Sequence, residues 1–340
     1  MKALRIHSNG GPEVLTWETI SDPEPKRNEV CVEIKAASIN HLDIWVRKGI
    51  PGLPLPLTMG SDASGIVQST GNNDSIFQEG DEVIIQPLVW CGSCQFCKTG
   101  RENFCRSMGI LGESQNGIMA EVICVSEKNI TKKPVNLDFN ASAALALAGQ
   151  TAYAMLIRRA NIQPGETVFV WGASSGVGTM AVQIAKHAGC RVITTAGSDE
   201  KSAAAEKLGA DLVLNYNTAD IASAVKDATE GSGADVVFEH VGESTWKTSL
   251  KCLAKGGRLV TCGATTGPNV EMDLRHIFMK QQSIFGSTMG DCAALDEVLS
   301  LVEAGAIKPI IDSIHPMEEA AAAHSRLESG EAFGKIILNP

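Results

Sequence analysis

Between residues 167 and 261 apolar strand-like runs alternate with helical ones, and no other feature narrows the choice of fold so far. Thr167-Val168-Phe169-Val170-Trp171 is a continuous apolar run, the kind buried on both faces of a parallel sheet. Residues 178–187 then show helical periodicity, 191–195 read as a strand, 201–208 as a helix and 212–214 as a strand. A helix over 221–229 and strands over 234–239 and 257–261 continue the series. Parallel neighbours need a crossover, so strands separated by helices predict an α/β fold with a doubly wound parallel sheet.

The first turn of this series carries chemistry. Gly172-Ala173-Ser174-Ser175-Gly176-Val177-Gly178 lies between a strand and a helix. Small residues there let the backbone approach an anion, and the helix N-terminus offers free N–H groups and a favourable dipole. This is the arrangement that holds a dinucleotide's pyrophosphate. The strict fingerprint would place glycine at Ala173, Ser175 and Gly178, of which only the last is glycine; a glycine-rich turn without a ligand is the plainer reading. Some 20 residues on, an NAD site carries Asp or Glu at the end of the second strand. Ala196-Gly197-Ser198 stands there instead, so a 2′-phosphate meets no carboxylate. Ser198 can donate a hydrogen bond to that phosphate and Lys201 can supply charge, which favours NADP(H) over NAD(H). Ser198 can equally be an N-cap, and Lys201 a solvated side chain, and the nearby Asp199 and Glu200 leave both readings open.

The remaining chain is organised differently. Residues 30–36 alternate at period two, and 65–67 and 81–85 read as further short strands between Gly/Asn/Asp turns. A helical stretch runs over 140–160 before Pro164-Gly165 breaks it. The last 50 residues show one helix near 293–304 and a strand over 334–338. With 340 residues the chain has room for two domains. It has no apolar run of about 20 residues, the length needed to cross a bilayer. The opening Met1-Lys2-Ala3-Leu4-Arg5-Ile6 reads as a strand, so a cytoplasmic protein is expected. The net charge of −10 without a Lys/Arg cluster argues against a nucleic-acid partner.

Ten cysteines divide into two groups. Cys91-x-x-Cys94-x-x-Cys97-x7-Cys105 has the spacing of a closed tetrahedral zinc site. With all four positions filled by sulfur, none remains for water or substrate, so that zinc would be structural. Free thiols or two disulfides are the alternative. Cys31, Cys124, Cys190, Cys252, Cys262 and Cys292 lie in apolar surroundings and read as small core residues.

The cysteine lobe, the Gly172–Gly178 turn, Gly60-Ser61-Asp62-Ala63-Ser64-Gly65 and the ending Phe333-Gly334-Lys335-Ile336-Ile337-Leu338 together resemble the medium-chain dehydrogenase/reductase superfamily. The lobe resembles zinc alcohol dehydrogenases; the turn and Ala196-Gly197-Ser198 resemble quinone oxidoreductases. The resemblance implies a GroES-like β-rich catalytic domain over 1–128 and 291–340, with a Rossmann NADP-binding domain over 129–290. It also implies a cofactor site that adds Thr151, Tyr216, Val241, Gly242, Gly263, Ser287 and Thr288 to the loop residues, Ser198 and Lys201. A homodimer or homotetramer is expected, with 282–285 as a pairing strand.

In the zinc alcohol dehydrogenases three side chains hold a catalytic metal. The matching positions here are Asn40, Ser61 and Leu147, none of them a good zinc ligand. Without a Lewis acid nothing lowers the pKa of an alcohol. The resemblance to the quinone oxidoreductases implies instead NADPH-dependent reduction of a small-molecule acceptor, a quinone or an α,β-unsaturated carbonyl. Asn40 is the candidate hydrogen-bond donor to the acceptor carbonyl, with His41 or Asp43 assisting. Two alternatives stay open. One is an alcohol dehydrogenase with a metal improvised on His41 or Asp62. The other is a cofactor-binding protein without turnover.

Overall fold

The structure, a computed structural model, describes residues 1–340, which divide into two compact units. The first comprises 1–147, 291–303 and 309–340, and the second comprises 148–290 with 304–308. The expected boundary at 128 falls inside the first unit. Strand Ile130–Lys132 pairs with Glu82–Ile85 there, and Ser64 donates to the Phe139 carbonyl at 2.6 Å, which ties helix Phe139–Ala143 to the same sheet.

The first unit is built on a seven-stranded sheet. Its long central strand, Glu29–Ser38, pairs antiparallel with Asp62–Thr70 on one side. On the other side it pairs with Lys335–Asn339 near one end and with Val122–Ser126 near the other. The register sets Ser38 opposite both Asp62 and Ile337. Three segments far apart in sequence thus bring Asn40, Asp62 and Lys335 to one end of the sheet.

Several features of this unit depart from expectation. Asn40 caps a helix, His41–Lys48, that was not anticipated: the Asp43 carboxylate accepts the Asn40 N–H at 2.7 Å, as in a capping box. The C-terminal stretch holds a second helix, Ala320–Glu328, and a strand, Ile311–Pro316, that pairs parallel to Lys335–Asn339. The alanine run at 320–323 carries too little apolar contrast to show helical periodicity. Cys31 and Cys124 are not independent core residues. They face each other across paired strands and form a disulfide.

The second unit is a six-stranded, all-parallel sheet. Across it the strands run Leu212–Asn215, Arg191–Ala196, Thr167–Val170, Ala234–Glu239, Leu253–Thr261 and Ser283–Gly286. In chain order that is 3-2-1-4-5-6, the doubly wound arrangement. The order reverses between Thr167–Val170 and Ala234–Glu239, and the crevice beyond their C-terminal ends is where such sheets bind ligands. Helices Glu243–Cys252 and Leu274–Lys280 belong here and were not anticipated. The 140–160 stretch resolves into Phe139–Ala143, Ala146–Tyr153 and a π-helical segment, Ala154–Arg159. No helix in the chain is long and apolar enough to cross a membrane.

Candidate active site and zinc centre

The glycine turn sits at the point where the sheet order reverses. Helix Gly176–His187 begins directly after it, with Ser175 as N-cap accepting the Gly178 N–H at 2.9 Å. The N–H groups of Gly176 and Val177 lie in the first turn and have no intrahelical partner. The turn is fixed from below: Gly172 N–H donates to Thr195 Oγ1 and Ala173 N–H to the Thr195 carbonyl, each at 3.0 Å. A Cβ at Gly178 would lie 2.2 Å from the Gly172 carbonyl oxygen. Only glycine lets this backbone close into an anion cradle, and the cradle fits a dinucleotide pyrophosphate.

Two residues beside the cradle were missed from sequence. His240 follows strand Ala234–Glu239 across the reversal point. Its Nε2 lies 2.8 Å from the Trp171 carbonyl and 3.4 Å from Ser175 Oγ. A carbonyl only accepts, so the neutral ring carries its proton on Nε2. Burial pushes the His240 pKa below the ordinary value. Glu239 is fully buried, and its carboxylate gathers the N–H groups of Val241 and Gly242 and the hydroxyls of Thr245 and Ser249. Through these bonds it shapes the Val241–Gly242 loop. Both were concealed from sequence because each ends an ordinary apolar strand. Among the other expected residues, Thr151 is buried on helix Ala146–Tyr153, and Gly263 accepts from Thr261 Oγ1. Ser287 follows the edge strand Ser283–Gly286, where its Oγ is buried without a partner, and Thr288 comes next. An orphaned hydroxyl of this kind suits a polar group of a bound cofactor.

Strand Arg191–Ala196 ends at Ala196 without a carboxylate, and Asp199 and Glu200 open the helix that follows. Ser198 caps helix Asp199–Lys207, accepting the Lys201 N–H at 3.3 Å, so the capping role considered from sequence is present. Its hydroxyl proton is not consumed by that bond. Tyr216 is half exposed, and its phenol packs over Gly197 so closely that a Cβ there would lie 2.3 Å from the hydroxyl oxygen. Ala196 itself is buried.

The four lobe cysteines converge in the first unit. All their Sγ atoms lie within 4.8 Å of one another. Separations of 3.4 Å for Cys94–Cys97, 3.5 Å for Cys91–Cys105 and 3.9 Å for Cys91–Cys97 bracket the ~3.8 Å edge of a tetrahedron with ~2.3 Å zinc–sulfur bonds. Backbone N–H groups of Cys91 and Ser107 donate to Cys105, and those of Ser93 and Cys94 donate to Cys91. Such donors stabilise thiolates, so the set fits a closed structural zinc.

The other cluster of the first unit gathers around Asp62, which is fully buried. Asp62 Oδ1 accepts the Leu147 N–H at 2.7 Å. Oδ2 accepts from Asn40 Nδ2 at 3.0 Å and from Ser38 Oγ and Lys335 Nζ, each at 3.3 Å. Lys335 Nζ also donates to Asn40 Oδ1. Ser61 Oγ is spent on the Leu111 carbonyl at 2.7 Å. The three positions that hold a catalytic zinc in alcohol dehydrogenases thus present a committed amide, a committed hydroxyl and an apolar side chain. The Asp62 carboxylate beside them is already paired with the Lys335 ammonium. These residues do not fit a catalytic zinc. Asp43, buried at the N-terminus of helix His41–Lys48, has its pKa raised to about 7, chiefly by desolvation. His41, the first residue of that helix, is half-buried. The motif Phe333-Gly334-Lys335 was noticed in the sequence, but nothing there tied Lys335 to Asn40 and Asp62.

Comparison with known proteins follows the same lines. Residues 176–304 match the family described as zinc-binding dehydrogenase, and residues 26–135 match the alcohol dehydrogenase GroES-like domain. The chain is 32% identical to an NAD-dependent alcohol dehydrogenase of Sulfurisphaera tokodaii, covering 100% of both chains. It is 31% identical to the quinone oxidoreductase of Homo sapiens, over 99% of this chain and 97% of that one. A crystal structure titled as an NAD-dependent alcohol dehydrogenase superposes with a TM-score of 0.97 at 42% identity, covering 100% of both chains.

Proposed function

Because this chain belongs to the medium-chain dehydrogenase/reductase superfamily and is an NAD(P)-dependent oxidoreductase, we propose that it uses NADPH to reduce a quinone or an α,β-unsaturated carbonyl without a catalytic zinc. The observation that carries this reading is the Asn40–Asp62–Lys335 cluster, which leaves no set of three metal ligands. The bound nicotinamide supplies the hydride. The chain's own residues bind the cofactor and meet the charge that develops on the acceptor. Gly176 and Val177 N–H groups hold the pyrophosphate, and Glu239 fixes the Val241–Gly242 loop beside it. Asn40 Nδ2 donates to the acceptor carbonyl, where negative charge grows as hydride arrives.

The NADP preference rests on the carboxylate-free end of strand Arg191–Ala196, with Ser198 and Lys201 toward the 2′-phosphate. Several relatives are named for NAD, so the preference is measured directly, as the ratio of NADPH to NADH affinity. Cys91, Cys94, Cys97 and Cys105 hold one structural zinc. A cytoplasmic homodimer or homotetramer is proposed, paired through the edge strand Ser283–Gly286. Leu274, Phe278 and Met279 on the helix just before it are exposed apolar residues that such pairing would cover.

The test is metal content together with an acceptor screen. One zinc per chain and NADPH oxidation with quinones, enones or enoyl-thioesters are expected. Two zincs per chain with alcohol oxidation would establish the alcohol dehydrogenase reading that several relatives' names favour. Silence with all three acceptor classes would leave a cofactor-binding protein.

A further inference from the structure

We infer that Lys335 is a positioning residue for the reduction: with Asp62 it locks the Asn40 amide so that one N–H is held ready for the acceptor's carbonyl oxygen. The inference rests on the reductase reading above.

An asparagine amide can present its oxygen or its nitrogen to a neighbour, and the two are nearly isosteric. The neighbours of Asn40 remove that freedom. Lys335 Nζ has three N–H groups and no lone pair, so only Oδ1 can face it. The Asp62 carboxylate only accepts, so only Nδ2 can face it, at 3.0 Å. Reversing the amide would set nitrogen against ammonium and oxygen against carboxylate at once. Nδ2 carries two hydrogens and spends one on Asp62. The second has no acceptor within the protein.

The cluster is buried and costly to assemble. Asn40 is 8%, Lys335 3% and Asp62 0% exposed. A buried ammonium is tolerated only when paired, and Asp62 at 3.3 Å supplies the pair. Ser38 Oγ and the Leu147 N–H hold Asp62 in turn. Gly334 admits the chain to this place: its φ is +101°, and a Cβ there would lie 2.3 Å from the Ile310 carbonyl oxygen. An ammonium behind the amide also polarises it, which strengthens the remaining N–H as a donor. The chain thereby provides, from three of its own side chains, a fixed donor at Asn40, one of the positions that hold the metal in alcohol dehydrogenases.

The experiment uses the full-length zinc-loaded enzyme with NADPH and 2-cyclohexenone. Asn40→Leu and Lys335→Met are each expected to lower kcat by about 10²-fold, the usual loss for one oxyanion donor. NADPH affinity should stay within about twofold, since the cradle is elsewhere in the chain. The double variant should be no slower than either single one, because both act through one N–H. Lys335→Met leaves Asp62 unpaired, so Lys335→Met/Asp62→Asn is measured beside it; it removes both charges and should lose the same factor. A second readout needs no turnover. The carbonyl stretch of carbon-13-labelled 2-cyclohexenone, bound with NADP+, should fall on binding to the wild type and return toward the free value in both single variants. Retained kcat in folded Lys335→Met, multiplicative losses in the double variant, or an unshifted carbonyl in the wild type would each overturn the assignment. A wild type that shifts the carbonyl but reduces no enone would overturn the reductase reading and leave the role of Lys335 standing.

Discussion

Replacing Gly178 with alanine tests the cofactor cradle at its tightest point. The new Cβ would lie 2.2 Å from the Gly172 carbonyl oxygen, 2.8 Å from Ser175 Oγ and 3.1 Å from the Gly172 carbonyl carbon. Relief to an ordinary contact requires a shift of roughly 1 Å, on the scale at which overpacking costs about 1–3 kcal/mol. The atoms that must yield are the turn itself. Gly172 O accepts the Ser175 N–H at 3.0 Å, and Ser175 Oγ accepts the Gly178 N–H at 2.9 Å. Movement of either opens the cradle and misaims the Gly176 and Val177 N–H groups. If half to all of the strain is relieved on the ligand side, about 0.5–3 kcal/mol, NADPH affinity falls about 2- to 150-fold. Isothermal titration calorimetry reads that loss, with thermal unfolding and zinc content as controls. An unchanged Kd in a folded variant with one zinc per chain would refute the placement of the pyrophosphate at this turn.

Other outcomes follow from the same geometry. Cys97→Ser removes one of four converging thiols, so zinc content should fall from one per chain toward none, with a lower Tm. Its NADPH affinity, by titration, should stay within about twofold of wild type. Ala196→Asp sets a carboxylate at the strand end proposed to face the 2′-phosphate; NADPH affinity should fall about tenfold or more, raising the NADH to NADPH affinity ratio. An unchanged ratio would remove that strand end from the adenosine site. Asp43, with its folded pKa raised from 3.8 to about 7, holds its proton in the folded state after the unfolded chain has lost it. The folded state then binds more protons, so this group's contribution to stability falls as pH rises from about 4 to about 7 and is level on either side. Denaturant titrations across that range should show the decline in the wild type and a flatter profile in Asp43→Asn.

The sequence alone determined the parts of this protein whose physics is local. Alternating strands and helices over 167–261 specified a doubly wound sheet, because hydrophobic periodicity and crossover length are read within a few tens of residues. The Gly172–Gly178 turn was legible because a strand, a small-residue loop and a helix N-terminus are contiguous. The four cysteines were legible because a tetrahedral site in a short lobe takes its ligands from close spacing. Local pattern failed where contrast was weak, as in the alanine-rich helix Ala320–Glu328. It failed again where pairing decided, as in the Cys31–Cys124 disulfide across two strands. The chemistry around Asn40 was decided by tertiary structure alone. Asn40, Asp62 and Lys335 are separated by 22 and 273 residues, and strand register sets them at one end of the sheet. The sequence could say that Asn40, Ser61 and Leu147 are poor metal ligands. That an ammonium and a carboxylate grip the Asn40 amide from two sides depends on burial and register, which no run of neighbouring residues encodes.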